Sequence, residues 1–264
     1  MLELQHISKT FNPGTVNAKT ALRDLSLTLH EGDFVTVIGG NGAGKSTMLN
    51  AVAGTFMVDE GKILIDGTDV THLPEHKRAA LIGRVFQDPM MGTAPTMQIE
   101  ENLALAARRG QRRGLKWGVT NAEREEYHEK LKTLGLGLED RMTAKVGLLS
   151  GGQRQALTLL MASLKRPKLL LLDEHTAALD PTTAAKVLEL SDRIVEENGL
   201  TAMMITHNMT DAIRHGNRLI MMNEGKIILD IAGEEKKKLT KKDLLERFAA
   251  LAGVQEETDA VLLS

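Results

Sequence analysis

Phe34-Val35-Thr36-Val37-Ile38-Gly39-Gly40-Asn41-Gly42-Ala43-Gly44-Lys45-Ser46-Thr47 is the stretch that decides the fold. A short strand-like run enters a glycine-rich turn, and residues 39–46 fit the spacing G-x-x-x-x-G-K-[ST]. A triphosphate needs many donors converging on a small volume. Glycines let successive backbone N–H groups turn inward with no Cβ in the way. A helix starting near Gly44 adds the positive end of its dipole, Lys45 reaches the β- and γ-phosphates, and the Ser46 hydroxyl helps hold Mg²⁺.

Leu169 to Leu172 and Ala202-Met203-Met204-Ile205 are two more short apolar runs that end in polar residues. Such runs read as buried parallel strands with ligand groups gathered at their C-terminal ends. Leu2 to Ile7, Leu22 to Leu29 and Ile63 to Ile65 alternate instead, which predicts an antiparallel layer near the N-terminus. From Asp88 to Leu164 the pattern is helical, best over Ile99 to Arg109, Ala122 to Leu134 and Gln153 to Leu164. Leu219 to Met222 and Lys226 to Leu229 flank Asn223-Glu224-Gly225, a hairpin signal, and an amphipathic helix follows over about Lys241 to Ala250. The expected fold is α/β: a parallel-sheet core with an N-terminal antiparallel layer and an inserted α-helical subdomain. Residues 1–264 are expected to form one domain, with core 1–87 and 165–235, helical subdomain 88–164 and C-terminal helix or tail 236–264.

The bulk properties set outer limits. Lys and Arg total 33 against 35 for Asp and Glu, so no global field recruits nucleic acid. The absence of cysteine excludes disulfides, thiolate metal sites and Cys nucleophiles. MLELQHISKT lacks the apolar core of a secretory signal, and no run approaches the ~18 apolar residues of a spanning helix. A role at a membrane therefore calls for another subunit to span it.

Leu169-Leu170-Leu171-Leu172-Asp173-Glu174 is an apolar strand ending in two carboxylates. Beside a phosphate loop, Asp173 suits the Mg²⁺ water shell, and Glu174 can orient and deprotonate an attacking water. Leu149-Ser150-Gly151-Gly152-Gln153, at the start of a predicted helix, is a second anion cradle: a hydroxyl, two glycines and a helix N-terminus. Two cradles about a hundred residues apart are hard to explain with one nucleotide, unless the second caps the nucleotide of a partner chain.

On these residues the sequence resembles the ABC ATPases, whose signature is LSGGQ, over nearly the whole chain from about Leu2 to Leu229. The resemblance implies a P-loop NTPase of the ABC ATPase type, using ATP and Mg²⁺. It implies that Gln87 senses Mg²⁺ and links the core to the helical subdomain, and that His207 contacts the γ-phosphate. Asp180 is implied at a dimer interface, and Phe11 falls where the family places an aromatic ring against adenine, with packing on the antiparallel layer as the alternative. Where many members have proline after the catalytic glutamate, this chain has His175, read as subfamily variation rather than a new catalytic group.

The implied activity is ATP hydrolysis by a homodimer that closes on two nucleotides, at the cytoplasmic face of the cell membrane. It would drive separate integral permease subunits for solute import, served by an extracytoplasmic solute-binding protein and involving no nucleic acid. The subunits it resembles include those of bacterial importers of amino acids or related small solutes. A soluble ABC ATPase serving cofactor assembly is the alternative; intact Glu174, Gln87 and His207 argue against a module that binds ATP without hydrolysing it. Arg108 to Lys116, followed by Trp117, forms a basic patch, read either as a helix C-terminus capped near Gly110 or as a surface for lipid headgroups or an acidic partner loop.

Overall fold

The computed structural model describes residues 1–111 and 118–252. The strands are β1 (Leu2–Phe11), β2 (Lys19–Leu29), β3 (Phe34–Ile38), β4 (Glu60–Ile65), β5 (Thr68–Asp69), β6 (Ile82–Val85), β7 (Leu169–Asp173), β8 (Ala202–Ile205), β9 (Arg218–Asn223) and β10 (Lys226–Ala232). The helices are α1 (Lys45–Ala53), α2 (Glu75–Arg78), α3 (Ile99–Ala107), α4 (Asn121–Lys132), α5 (Gly151–Ser163), α6 (Pro181–Asn198), α7 (Met209–Arg214), α8 (Gly233–Lys237) and α9 (Lys241–Ala252). Two compact units emerge: Met1–Arg78 with the chain from Leu200 onward, and Ala79–Gly199.

In the first unit, β3 is buried at every position. It pairs in parallel with β8 on one side and β9 on the other, which is why its sequence is a continuous apolar run interrupted only by Thr36. Thr36 is tolerated there because its hydroxyl donates to the Ala212 carbonyl at 2.8 Å. Each of Val35, Val37 and Ile38, with no exposed surface, contributes roughly 1.5–3 kcal/mol of burial. The antiparallel layer is β2-β1-β4-β5, its inward positions filled by Leu2, Leu4, Ile7, Leu22, Leu25 and Ile63. Its register shifts near His6 and Asp24, two non-glycine residues at positive φ (52° and 49°) whose side chains meet at 2.7 Å.

The β9–β10 connection is a two-residue turn, Glu224-Gly225, with φ of 45° and 78°. Positive φ at both positions is the I′ geometry, whose twist matches that of the flanking strands. The C-terminal helix α9 sets Leu244 and Phe248 into a cluster with Met209, Ala212, Leu219 and Met221.

Among the described residues of this unit, Arg78 is the largest fully buried side chain. Its Nη1 donates to the carbonyls of Ala51 and Val52 at 2.7 and 2.9 Å, Nε to Leu73 at 2.8 Å and Nη2 to Thr71 at 3.0 Å. The last carbonyls of α1 lack partners inside the helix, and a cation there complements the dipole. Burial lowers the Arg78 pKa, opposed by the nearby Asp69 carboxylate. Gly54 makes the approach possible: a Cβ at that position would lie 2.7 Å from Arg78 Nε.

In the second unit, β6 and β7 pair in parallel from Ile82↔Leu169 to Val85↔Leu172. The helices start on capping boxes: Gln98 with Glu101 for α3, Thr120 with Glu123 for α4, and Ser150 with Gln153 for α5. Arg124 holds Glu100 through two bonds of 2.7 and 2.9 Å, tying α4 to α3. The 18-residue α6 was not assigned from the sequence, although its ends carry clear signals. Asp180 is its N-cap, Pro181 its first residue, and Gly199 closes it at φ 58°.

Of the two readings of the basic patch, Arg108 and Arg109 fit the helix C-terminus. Arg109 donates to the Ala162 carbonyl at 3.0 Å and is partly buried, while Arg108 pairs with Glu123 at 2.8 Å and with the Gly118 carbonyl at 2.7 Å. Both cations are committed inside the unit, so Arg109 is not a surface group waiting for lipid. Gly110 does take a positive φ of 73°, whereas the C-cap residue of α3 is Arg108. Arg112, Arg113, Lys116 and Trp117 lie outside the described residues.

Replacing Arg78 with Met should cost about 3 kcal/mol or more, because buried carbonyls lose a charged donor. Urea titration of the variant measures this loss. Arg78→Lys should recover only part of it, since a point ammonium cannot serve four carbonyls in different directions.

Candidate functional site

The phosphate loop leaves the end of β3, and its position follows from backbone contacts made on its rear side. A Cβ on Gly39, at φ 149°, would stand 2.2 Å from the Met222 carbonyl oxygen of β9. A Cβ on Gly44, at φ 101°, would stand 2.7 Å from the Ala21 carbonyl oxygen of β2. The turn after β9 bridges these elements, for the Gly225 N–H donates to the Ala43 carbonyl at 2.9 Å and its carbonyl accepts from Arg23 N–H at 3.0 Å. Asn41 and Gly42 are exposed, and nothing stands within 4 Å of a Cβ placed on Gly40.

Gly44 is the N-cap of α1 and brings no side chain to the first helical N–H groups. These donors and the dipole therefore face outward at a residue that can offer no competing cap. Lys45 is buried, with Nζ donating to the carbonyls of Gly39 at 2.7 Å and Gly40 at 3.2 Å. Its ammonium is thus held at the mouth of the loop by backbone oxygens. The Ser46 side chain is exposed and Thr47 is half-buried. A cradle that excludes Cβ atoms, a helix N-terminus and a tethered cation fit the phosphates of a nucleotide.

Two more of the expected residues belong to this first unit. His207 follows Thr206 at the end of β8, half-buried, just before Asn208 caps α7 through the N–H groups of Thr210 and Asp211. Phe11 ends β1, its ring edge-on to Phe56 with centroids 5.2 Å apart, and Lys9 Nζ stands 5.7 Å from both rings. This pair was not anticipated. Phe56 carried no periodic or motif signal, and only the fold brings it to Phe11.

The second unit carries Gln87, Asp173, Glu174, Asp180 and the Ser150-Gly151-Gly152-Gln153 turn. Asp173 closes β7, and its carboxylate accepts from Arg84 Nη2 of β6 at 3.3 Å. The Arg84 guanidinium also lies 4.5 Å over the Phe86 ring. Glu174 follows in the left-handed region at φ 45°, and its carbonyl accepts from Ala177 N–H at 3.0 Å. A carboxylate side chain in that conformation carries a cost of order 1 kcal/mol, typical of positions where orientation matters more than local stability. Gln87 is exposed just past β6; the preceding carbonyl, that of Phe86, accepts from Gln155 Nε2 of α5 at 3.2 Å.

In the 150–153 turn, Ser150 Oγ accepts from Gln153 N–H at 3.3 Å and the Gln153 side chain accepts from Ser150 N–H at 3.2 Å. The capping box uses one lone pair of the hydroxyl and leaves its O–H hydrogen to donate. Gly152 packs against α6, where a Cβ would meet Thr183 Cγ2 at 2.2 Å. Asp180 Oδ1 accepts from Thr183 N–H at 3.1 Å, and bonds from Thr183 hold its carboxyl below the usual range. Arg84, Gln155 and the His175–Ser191 contact (2.9 Å) were missed from sequence, since no spacing rule marks them.

A sequence profile of the ABC transporter family matches residues 22–177. The chain belongs to that family, as an ATP-binding subunit with ATPase activity. It is 44% identical over 248 residues to a tyrosine transport ATP-binding protein of Clostridioides difficile (strain R20291), covering 94% of this chain and 98% of that protein. It is 38% identical over 233 residues to a methionine import ATP-binding protein of Corynebacterium diphtheriae, covering 86% of this chain and 64% of that longer protein. Among solved structures, a dimeric ATP-binding cassette in a post-hydrolysis state with ADP and Pi aligns with a TM-score of 0.75. It is 30% identical, over 88% of this chain and 98% of its own. An ADP-conformation cassette of an ABC transporter also reaches 0.75, at 28% identity, over 94% of this chain and 98% of its own. The fold is accordingly that of the P-loop ABC ATPases, with its parallel core, N-terminal antiparallel layer and inserted helical subdomain.

Gly39→Ala should lower stability by about 2 kcal/mol or more and weaken ATP binding, because the new Cβ overlaps a backbone oxygen that cannot swing away. Gly40→Ala should leave the unfolding midpoint nearly unchanged. Thermal unfolding and nucleotide titration of the two variants make the comparison.

Proposed function

We propose that this chain is the ATPase subunit of a solute importer, dimerising around two Mg-ATP to drive separate permease subunits. The observation that carries the reading is the tethered Lys45 in a glycine cradle, within a chain that matches 98% of a tyrosine transport ATP-binding protein. The amino-acid class of substrate follows from that relative and from the methionine import relative. Their names favour transport over cofactor assembly. Among the described residues no helix is long and apolar enough to cross a membrane, so the permease would supply the span. In this reading the subunit works peripherally at the cytoplasmic face, and an extracytoplasmic solute-binding protein delivers the cargo.

The proposed core is 1–87 with 165–235, the helical subdomain 88–164 and the tail 236–264, within one cassette. Residues Gly39 to Thr47 would bind the phosphates through backbone N–H groups, with Lys45 turning from its carbonyl tether to the β- and γ-oxygens. Phe11 would contact the adenine. Ser46, Asp173 and Gln87 would hold Mg²⁺; one hydroxyl, one carboxylate and one amide suit a hard cation that takes its remaining ligands from phosphate and water. When bound, Mg²⁺ supplies charge neutralisation on the phosphates. Glu174 would accept a proton from the attacking water while His207 contacts the γ-phosphate. Ser150, Gly151, Gly152 and Gln153 would cap the nucleotide of the other subunit, with the Ser150 O–H as donor and Asp180 at the interface.

Lys45→Ala should abolish productive ATP binding, whereas Glu174→Gln should bind ATP normally and lose turnover by about 10²-fold or more. Equilibrium nucleotide binding and steady-state hydrolysis separate the two. Full turnover in Glu174→Gln would remove the carboxylate from its assigned role. The dimer has its own test, helped by the lack of native cysteine. Ser46→Cys combined with Ser150→Cys should cross-link between chains when ATP is bound, and cross-links confined to one chain would refute the shared site.

A further inference from the structure

His175 follows the proposed base directly, and the mechanism above leaves it unused. It is only 2% exposed. Its Nε2 lies 2.9 Å from Oγ of Ser191, a fully buried residue in the middle of α6. The Ser191 hydroxyl owns a single hydrogen, which it donates to the Val187 carbonyl one turn earlier at 2.8 Å. With that hydrogen on the Val187 carbonyl, Oγ accepts from His175, the arrangement in which the imidazole carries its hydrogen on Nε2. A directed relay of hydrogen bonds thus runs from the loop after β7 into the backbone of α6.

Glu174 lies between β7 and this anchor. Its φ of 45° is a conformation that residues with side chains seldom adopt, and such backbone persists where its surroundings hold it. On the N-terminal side the restraint is the β7 pairing with β6. On the C-terminal side it is the bond from Ala177 N–H to the Glu174 carbonyl together with the His175–Ser191 contact.

We infer that His175 is a positioning residue for Glu174: through Ser191 it pins the start of the loop to α6 and so sets the direction in which the Glu174 carboxylate leaves the strand. This rests on the reading of Glu174 as the base. The restraint is a buried hydrogen bond, one that a single substitution at either partner can release.

The test uses the full chain with Mg-ATP. His175→Leu fills similar space without a donor, Ser191→Ala removes the acceptor, and His175→Gln returns an N–H at about the reach of Nε2. His175→Leu and Ser191→Ala should each lower kcat about tenfold, with KM for ATP and nucleotide affinity changed less than about twofold. The double variant His175→Leu/Ser191→Ala should be no slower than the slower single one, because both remove one bond. His175→Gln should recover kcat to within about threefold of the parent. ¹⁵N NMR should find His175 protonated at Nε2 in the parent, with that resonance displaced in Ser191→Ala. Unchanged kcat in a folded His175→Leu overturns the inference, as does a parallel loss of nucleotide affinity or a Gln variant no better than Leu. Should His175→Leu fail to fold, Ser191→Ala and His175→Gln decide by the same criteria. Glu174→Gln, assayed alongside, separates the two levels. If it keeps full turnover, the base assignment falls and takes this inference with it; if it loses turnover while His175→Leu keeps it, only the positioning role falls.

Discussion

Backbone packed against backbone, with no room for a β-carbon between, is the constraint on which the phosphate site depends. Gly39 faces the Met222 carbonyl, Gly44 faces the Ala21 carbonyl, and Gly225 bonds to Ala43 on one side and Arg23 on the other. The glycines of the loop thus serve two surfaces. Those at the exposed tip leave space in front for phosphate oxygens, while those at the ends leave space behind for β2 and β9. The loop is held from the rear by β2, just before it in the chain, and by β9, far from it, so its N–H groups can converge before a ligand arrives, which lowers the ordering cost of binding.

Much of this was legible in the sequence where a local rule and a chemical need coincide. The β3-loop-α1 sequence carries strand pattern, glycine spacing and lysine in one stretch, and the helix begins at Lys45 as the spacing requires. The β9–β10 turn declared itself through Asn223-Glu224-Gly225 because positive φ restricts composition. Strands were found but read short: β1 continues to Phe11 and β2 begins at Lys19, because these ends are polar and held by cross-strand bonding rather than burial. The 18-residue α6 escaped because its exposed face breaks the apolar period, although Asp180-Pro181 and Gly199 mark both ends.

What the sequence could not disclose is pairing between side chains distant along the chain. Arg84 sits in a strand next to Val85, and nothing in that stretch says that it reaches Asp173, 89 residues later. Arg78 looks like one more surface cation in His76-Lys77-Arg78, yet it is entirely buried against carbonyls of α1. Arg109 belongs to a cation cluster that reads either as a helix end or as a surface for lipid, and its guanidinium turns to the Ala162 carbonyl. Arginine misleads composition-based reading because one planar group can satisfy several buried oxygens at once.

The rear contacts of the phosphate loop also have a consequence for vectorial synthesis. Gly39 and Gly44 are made early, but the carbonyl of Met222 and the N–H of Gly225 that seat the loop are translated about 180 residues later. A nascent chain therefore carries the complete motif long before it has the geometry, and pairings so distant along the chain are slow to close. A chain that terminates before Arg218 would display the nucleotide fingerprint on a loop without its rear supports, with β3 lacking β9 as a neighbour and its edge open to other chains. The contacts that seat the phosphate loop are thus complete only once β9 and its turn are in place, which ties the geometry of the loop to completion of the sheet.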